Sequence, residues 1–410
     1  MNKAVFVYVD LNENPILVGS LFCRVRGDRE SASFEYDKEW LNYPSRFALE
    51  PALSLGTGPY HTPAGKALFG ALGDSAPDRW GRILMRRAEK IQALHDKQTP
   101  RTLMEVDYLL MVDDEARQGA LRFATQKGGP YLAESTASRI PPFIELPRLL
   151  SAAQKVTDDH ESEDDLKLLL APGSSLGGAR PKASVRDKNG ELAIAKFPSA
   201  HDEMTVVLWE AVALTLAKKA NITTADFRVE TIVGLPVLIL ARFDRNKSRR
   251  IPFLSAMSML NASDRESHSY LEIVDALRQH GSLAGHDIRE LWRRVVFSIL
   301  ISNTDDHLRN HGFLYSNQGG WRLAPAYDLN PVPHEIKRPI LSTAIDFDDG
   351  TASIELAMSV IGYYGLDLIE AKSIVAELRH VVLGWRNEAK RFGISTSEID
   401  KMASAFSAAV

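Results

Sequence analysis

Asn303-Thr304-Asp305-Asp306-His307-Leu308-Arg309-Asn310, followed by Ala324-Pro325-Ala326-Tyr327-Asp328-Leu329, is the stretch on which the reading of this chain turns. It spaces two carboxylates and an amide as a phosphoryl-transfer site requires. In that template one aspartate orients an acceptor hydroxyl, an asparagine a few residues on holds a magnesium ion, and a later aspartate holds magnesium against the phosphates. Asp305, Asn310 and Asp328 fill these positions. Gly312 to Tyr315 and Trp321 to Leu323 read as two short strands joined by a glycine-containing turn, a hairpin that carries Asp328 back beside Asp305. Magnesium takes one or two side-chain oxygens plus phosphate oxygens and water, which Asn310 and Asp328 can supply. Asp306 competes with Asp305 for the role of base, and the five-residue offset to Asn310 selects Asp305. Taken alone, the same residues also suit a polar helix cap with a solvated turn. His307 either donates a hydrogen bond within the site or packs, and Asn303 and Arg309 support the turn.

Upstream, Gly173-Ser174-Ser175-Leu176-Gly177-Gly178-Ala179-Arg180-Pro181-Lys182 is a glycine-rich loop where backbone amides can approach phosphate unobstructed. It is not a Walker loop, because Ala179-Arg180 stands where Lys-Ser/Thr is needed and a strand follows rather than a helix. A plain surface hairpin fits it equally well. Lys196 lies in the otherwise apolar strand Leu192 to Phe197, where an ammonium is costly unless an anion meets it. A nucleotide phosphate would serve, with Glu210 as a helix glutamate partner; the bland alternative is an edge-strand lysine and a solvated helix charge. Ala241 to Phe243 ends an apolar strand and can offer adenine an apolar slot with backbone hydrogen bonds. For Arg242, Asp244 and Arg245 a salt-bridged strand terminus is the competing reading.

The remaining features bound the class. The chain has 410 residues, 45% of them apolar, enough for two or three domains with cores of their own. A formal charge of −4 supplies no overall basic field to hold nucleic acid or an anionic membrane. The single cysteine, Cys23, allows no internal disulfide, which fits a reducing cytoplasm. The first apolar run meets Asp10 too early for a signal peptide, and the longest runs fall far short of the roughly 20 residues of a membrane span.

Residues 4 to 9 and 17 to 25 predict an antiparallel hairpin, Ser33 to Tyr36 a further strand, and Asp78 to Leu94 a helix with Asp78 as its cap. Lys127 to Pro142 and the acidic run Thr157 to Asp165 predict a connection and solvated surface. Strands follow at 183–185, 192–197, 227–232 and 236–243, with a helix over 204–219. Helices are then expected over 270–279, 288–302, 352–360, 367–392 and 396–409. The expected fold is α+β and two-lobed, like a protein kinase. It has a β-rich N-terminal subdomain (1–125), a sheet-containing lobe with the glycine-rich loop and Lys196 (145–254), and an all-helical C-terminal lobe with the catalytic motifs (255–410).

Ser-Ser-Leu-Gly-Gly-Ala-Arg-Pro-Lys (174 to 182), Ala-Lys-Phe-Pro (195 to 198), Arg-Phe-Asp-Arg (242 to 245), Asn-Thr-Asp-Asp-His-Leu-Arg-Asn (303 to 310) and Pro-Ala-Tyr-Asp-Leu (325 to 329) closely resemble the HipA family of serine/threonine kinase toxins. The resemblance reaches the first domain through Val18-Gly19-Ser20-Leu21, Phe34-Glu35-Tyr36-Asp37 and Asp78-Arg79-Trp80-Gly81-Arg82. It implies ATP and Mg2+ as cofactors, with Asp305 as base, Asn310 and Asp328 on the metal, and Lys196 on the phosphates. Ser175, Leu176, Gly177, Gly178, Ala179, Arg180, Lys182, Ala241, Phe243 and His307 would complete the ATP site. It further implies autophosphorylation at Ser175, or at the adjacent Ser174, and a HipB-like DNA-binding antitoxin as partner. The acceptor would be a protein such as an aminoacyl-tRNA synthetase or another translation factor. The loop departs from the best-studied member in carrying Gly-Gly-Ala-Arg-Pro-Lys. Two other roles compete: a corepressor that joins a DNA-binding antitoxin, against which the intact magnesium ligands argue as the only role, and a small-molecule kinase that uses the same residues and differs only in acceptor.

Overall fold

The computed structural model describes residues 2–409 apart from 12, 28, 134–139, 174–177, 200, 265 and 317. The chain forms two compact units: Met1–His201 with Glu230–Leu254, and Asp202–Val229 with Ser255–Val410.

The first unit begins with strands β1 (Asn2–Leu11), β2 (Asn14–Arg26), β3 (Arg29–Tyr36), β4 (Pro59–His61) and β5 (Leu121–Ala124), ordered β4-β3-β2-β1-β5. The long hairpin of β1 and β2 shifts register between Val7 and Tyr8. Alternation places Ala32, Phe34 and Tyr36 of β3 inside, as a strand with one wet face requires. Burying each such large apolar side chain is worth about 1.5–3 kcal/mol.

A second sheet follows, of β6 (Lys182–Arg186), β7 (Leu192–Lys196), β8 (Phe227–Ile232) and β9 (Leu235–Ala241), ordered β6-β7-β9-β8. Its core joins Val185, Ala195 and Val237 to Trp80 and Leu84 of the helix Arg79–His95. The structure adds two helices for which the sequence reading held no expectation beyond a solvated acidic surface over Thr157 to Asp165: Leu146–Thr157 and Glu163–Gly173, whose Leu149, Ala153 and Leu169 enter the same core. The acidic run is in part a helix cap: Ser162 Oγ accepts from Asp165 N–H (3.2 Å) while Asp165 Oδ2 accepts from Ser162 N–H (2.9 Å). That reciprocal pair is a capping box, legible as Ser162-x-x-Asp165 once the helix is suspected.

Helices dominate the second unit, which also carries the expected hairpin, Gly312–Ser316 with Gly320–Leu323. Its centre is the helix Ala284–Leu300, where Leu291, Trp292, Val295, Val296, Phe297 and Ile299 are all buried. One long helix expected over 367–392 is two, Leu368–Val382 and Trp385–Arg391. Gly384 interrupts it, a residue that costs a helix about 1 kcal/mol. The redirected second piece stacks Trp385 on Phe406, ring centroids 4.3 Å apart and 8° from parallel. Among the described residues no helix is long and apolar enough to cross a membrane.

Candidate active site

In the second unit the helix Ala284–Leu300 ends at Ser302, which takes a left-handed φ of 49° and turns the chain sharply into Asn303. Asn303 is buried; its Nδ2 donates to Ser298 Oγ (3.4 Å) and its Oδ1 accepts from Asn330 N–H (3.1 Å). The two aspartates that follow have opposite surroundings. The Asp305 side chain is 70% exposed, whereas that of Asp306 is 5% exposed. The Asp306 carboxylate accepts from Tyr270 Oη and from Ser298 Oγ (3.2 Å), and His311 Nε2 lies 3.0 Å away in an ion contact rather than an aligned hydrogen bond. Burial pushes this carboxyl up, but the His311 contact and the hydrogen bonds prevail and hold it below the usual range. Burial and the neighbouring Asp306 push the Tyr270 phenol well above its ordinary value. Thr343 Oγ1 caps the Asp306 carbonyl at 2.7 Å.

The 3-10 turn Leu308–Asn310 brings the Asn310 amide back, its Nδ2 donating to the Asp305 carbonyl at 3.0 Å. This leaves Oδ1 as the amide atom a cation would take. His307 N–H also donates to the Asp305 carbonyl (2.9 Å), while its buried Nδ1 has no hydrogen-bond partner among the described residues. Tyr327 Oη donates to the Arg309 carbonyl (2.7 Å), which lays the residue before Asp328 against the loop that carries Asp305. Asp328 itself has φ 60°, a left-handed conformation costing a non-glycine residue about 1–2 kcal/mol. The hairpin that delivers it is pinned by Asp287, whose Oδ2 accepts from Arg322 Nε (2.7 Å) and Leu323 N–H (2.9 Å).

In the first unit, Lys196 ends β7, an internal strand rather than an edge, and faces Lys182 of β6 in the antiparallel register. Lys182 is buried, 4% exposed. The register sets the two lysines side by side on one face of the sheet. Gly178 has φ +88°, a conformation that favours glycine, and a Cβ there would stand 2.7 Å from the mobile end of Lys182, at Nζ. Asp78 occupies the cap position of the helix Arg79–His95 without a side-chain cap bond. Ala179 and Arg180 are exposed; Ser174, Ser175, Leu176 and Gly177 lie outside the described residues.

At the end of β9, Ala241 is exposed and Phe243 half-buried, with its ring 6.2 Å from that of Phe253. Arg242, Asp244 and Arg245 form the salt-bridged terminus that was the competing reading. Arg242 Nη2 donates to Asp244 Oδ2 at 2.6 Å, Arg245 Nη1 donates at 2.8 Å, and Gly119 N–H adds a third bond at 2.8 Å. Burial raises the Asp244 carboxyl, but the two guanidinium groups outweigh it and hold it well below the carboxylate range. Glu210 is buried on the helix Val206–Lys219, so it is not a solvated charge. It belongs to the second unit and Lys196 to the first.

Sequence reasoning overlooked Tyr270, Ser298, Asp287, Arg322, Asn330 and Lys337. Nothing local marks the first five: Tyr270 reaches Asp306 across 36 residues, and Asp287 reaches Arg322 across 35. Lys337 Nζ sits 2.9 Å from the Thr304 carbonyl and 3.6 Å from Asp305 Oδ1.

A family profile described as the HipA-like C-terminal domain matches residues 174–409, and one described as the HipA N-terminal domain matches residues 10–106. A Haemophilus influenzae protein named "Putative kinase" is 24% identical over 161 residues, 35% of this chain and 47% of the relative. A Sinorhizobium fredii protein named "Putative kinase Y4mE" is 25% identical over 181 residues, 38% of this chain and 41% of the relative. The chain thus spans less than half the length of these two relatives. Among solved structures, HipA of Shewanella oneidensis, in a toxin-antitoxin complex with HipB and its operator DNA, superposes with a TM-score of 0.64 at 15% identity. That superposition covers 99% of this chain and 95% of the other, a likeness of fold.

Proposed function

The chain belongs to the HipA family, and from that premise we propose that it is an ATP-dependent serine/threonine protein kinase with Asp305 as its base. The observation that carries this reading is the division of labour between adjacent aspartates. Asp306 is buried and fully engaged, whereas Asp305 presents its carboxylate outward from a backbone clasped by Asn310. A general base must reach the proton it takes, and the exposed carboxylate can.

Asp305 orients the acceptor hydroxyl and receives its proton. Asn310 Oδ1 and the Asp328 carboxylate are the oxygens suited to hold Mg2+, which when bound neutralises charge on the phosphates. The unpartnered buried Nδ1 of His307 suits a hydrogen bond from or to the nucleotide. Lys182 and Lys196 supply the cationic face for phosphate, Gly178 lets the loop backbone come close, and Ala241 and Phe243 border the adenine.

The acceptor is a serine or threonine of a protein, such as an aminoacyl-tRNA synthetase or another translation factor. Ser175, or Ser174 beside it, is the autophosphorylation site; the added charge of about −1.5 to −2 would repel ATP phosphates from the same loop. A HipB-like DNA-binding antitoxin is the expected partner, a reading supported by the fold shared with the Shewanella oneidensis protein. The test is transfer of label from γ-labelled ATP with Mg2+ to protein. Wild type should incorporate phosphate and Asp305→Asn should not; equal incorporation by both would remove Asp305 from the mechanism.

A further inference from the structure

After Asp328 the chain runs back along the loop that carries the base. Asn330 N–H donates to Asn303 Oδ1 (3.1 Å) and Val332 N–H to the Ser302 carbonyl (3.2 Å). His334 Nε2 then lies 3.0 Å from Ser302 Oγ, while His334 N–H donates to Ser404 Oγ at 3.1 Å. A turn closes next, with Ile336 N–H (2.9 Å) and Lys337 N–H (3.1 Å) both donating to the Pro333 carbonyl. The segment that leads into Lys337 is therefore tied at several points to residues within a few positions of Asp305.

Its side chain crosses the same gap. Nζ donates to the Thr304 carbonyl at 2.9 Å and stands 3.6 Å from Asp305 Oδ1. Ser342 Oγ donates to that carbonyl too (2.9 Å), so the carbonyl keeps a partner without the lysine. The other cation of this loop, Arg309, is engaged by Asp264 at 2.5 Å. An ion pair with side chains 44% and 70% exposed contributes little to stability, about 0–1 kcal/mol. A lysine anchored this closely and held this weakly is suited to change partners.

We propose that Lys337 is a further catalytic residue, pairing with Asp305 in the resting protein and with an equatorial oxygen of the transferring phosphoryl group during reaction. This rests on the phosphotransfer reading above. A hydroxyl oxygen held by Asp305 lies about 2.6–3.2 Å from the carboxylate, and the phosphorus it attacks a further ~3–3.5 Å away. A flexible four-carbon side chain already 3.6 Å from Asp305 reaches that phosphoryl group. In the step, the hydroxyl oxygen bonds to the γ-phosphorus as the bond from that phosphorus to the bridging oxygen breaks. The bonding pair leaves with ADP, and the hydroxyl proton passes to Asp305. Lys337 stays protonated throughout and neutralises charge spread over the equatorial oxygens.

The experiment follows single-turnover label transfer from γ-labelled ATP with Mg2+ to the phosphatase-treated full chain. It reads the maximal rate and the half-saturating ATP concentration for wild type, Lys337→Met, Lys337→Gln, Lys337→Arg and Asp305→Asn. The maximal rate should fall about 10- to 100-fold in both the Met and Gln variants, with half-saturation within about twofold of wild type, and Arg should recover most of it. Recovery by Gln, which keeps a donor for Thr304 without the charge, would assign Lys337 to loop tethering and overturn the proposal. So would a wild-type rate in Lys337→Met. Wild-type chain that transfers no label would instead overturn the kinase reading, and this proposal with it.

Discussion

The Tyr270 hydroxyl donates to the buried Asp306 carboxylate, tying the helix Tyr270–His280 to the loop whose neighbouring residue, Asp305, faces outward. Two adjacent carboxylates are thereby given different surroundings, one buried in the loop's hydrogen bonds and one exposed.

Substitution should separate those tasks. Tyr270→Phe removes one hydrogen bond to a charged group and is expected to cost about 1.5–3 kcal/mol. Asp306→Asn should cost as much or more, because Tyr270 and Ser298 both donate to the buried carboxylate it removes. Asp305→Asn should melt like wild type and lose label transfer. Thermal and denaturant melts beside the transfer assay read both effects. Because the folded carboxyl of Asp306 titrates below its ordinary value, its stabilisation is present above about pH 4 and is lost as pH falls below that.

Glu50 makes the opposite prediction for the first unit. Buried at 1% exposure, it accepts from Ala71 N–H at 2.5 Å, and burial pushes its carboxyl up to about 7. A raised carboxyl favours the folded state at low pH, so its contribution is fully present below about pH 4.5 and is lost as pH rises through about 7. Glu50→Gln keeps the acceptor and removes the titration. Its stability relative to wild type should rise between pH 4.5 and 8 by up to about 3 kcal/mol, seen in melts across that range.

Asp328 carries a chemical and a conformational duty at once. With φ 60°, Asp328→Ala should lose about 1 kcal/mol of stability, while Asp328→Gly and Asp328→Asn, which tolerate the left-handed region, should lose less. All three should lack magnesium-dependent label transfer. A transfer-competent Asp328→Asn would leave the metal without need of this carboxylate.

At the glycine-rich loop, Gly178→Ala forces a Cβ 2.7 Å from Lys182 Nζ at φ +88°. The loop or the ammonium must shift. The expected result is a several-fold higher half-saturating ATP concentration and a smaller thermal shift with magnesium-ATP than wild type shows. An unchanged shift would place the nucleotide away from this loop.

The turn of Asp305 and Asn310 and the hairpin before Asp328 were readable because their signal is local. Asp305, Asn310 and the hairpin before Asp328 are fixed by offsets of a few residues, and alternation or helical period marked most elements. The helices Leu146–Thr157 and Glu163–Gly173 were missed because acidic caps and a proline hid their apolar faces, which only the sheet they cover reveals. The break at Gly384 was missed because the turn depends on where Trp385 can stack.

Residue types and short spacings such as that of Asp305 and Asn310 are written locally in the chain, since a turn or hairpin fixes neighbours within a few residues. Tertiary structure alone decided that Asp306 is buried by Tyr270, that Lys196 lies on an internal strand facing Lys182, and that Lys337 reaches Asp305. The reason is physical: burial and charge pairing depend on partners tens of residues away along the chain, and no local propensity records them.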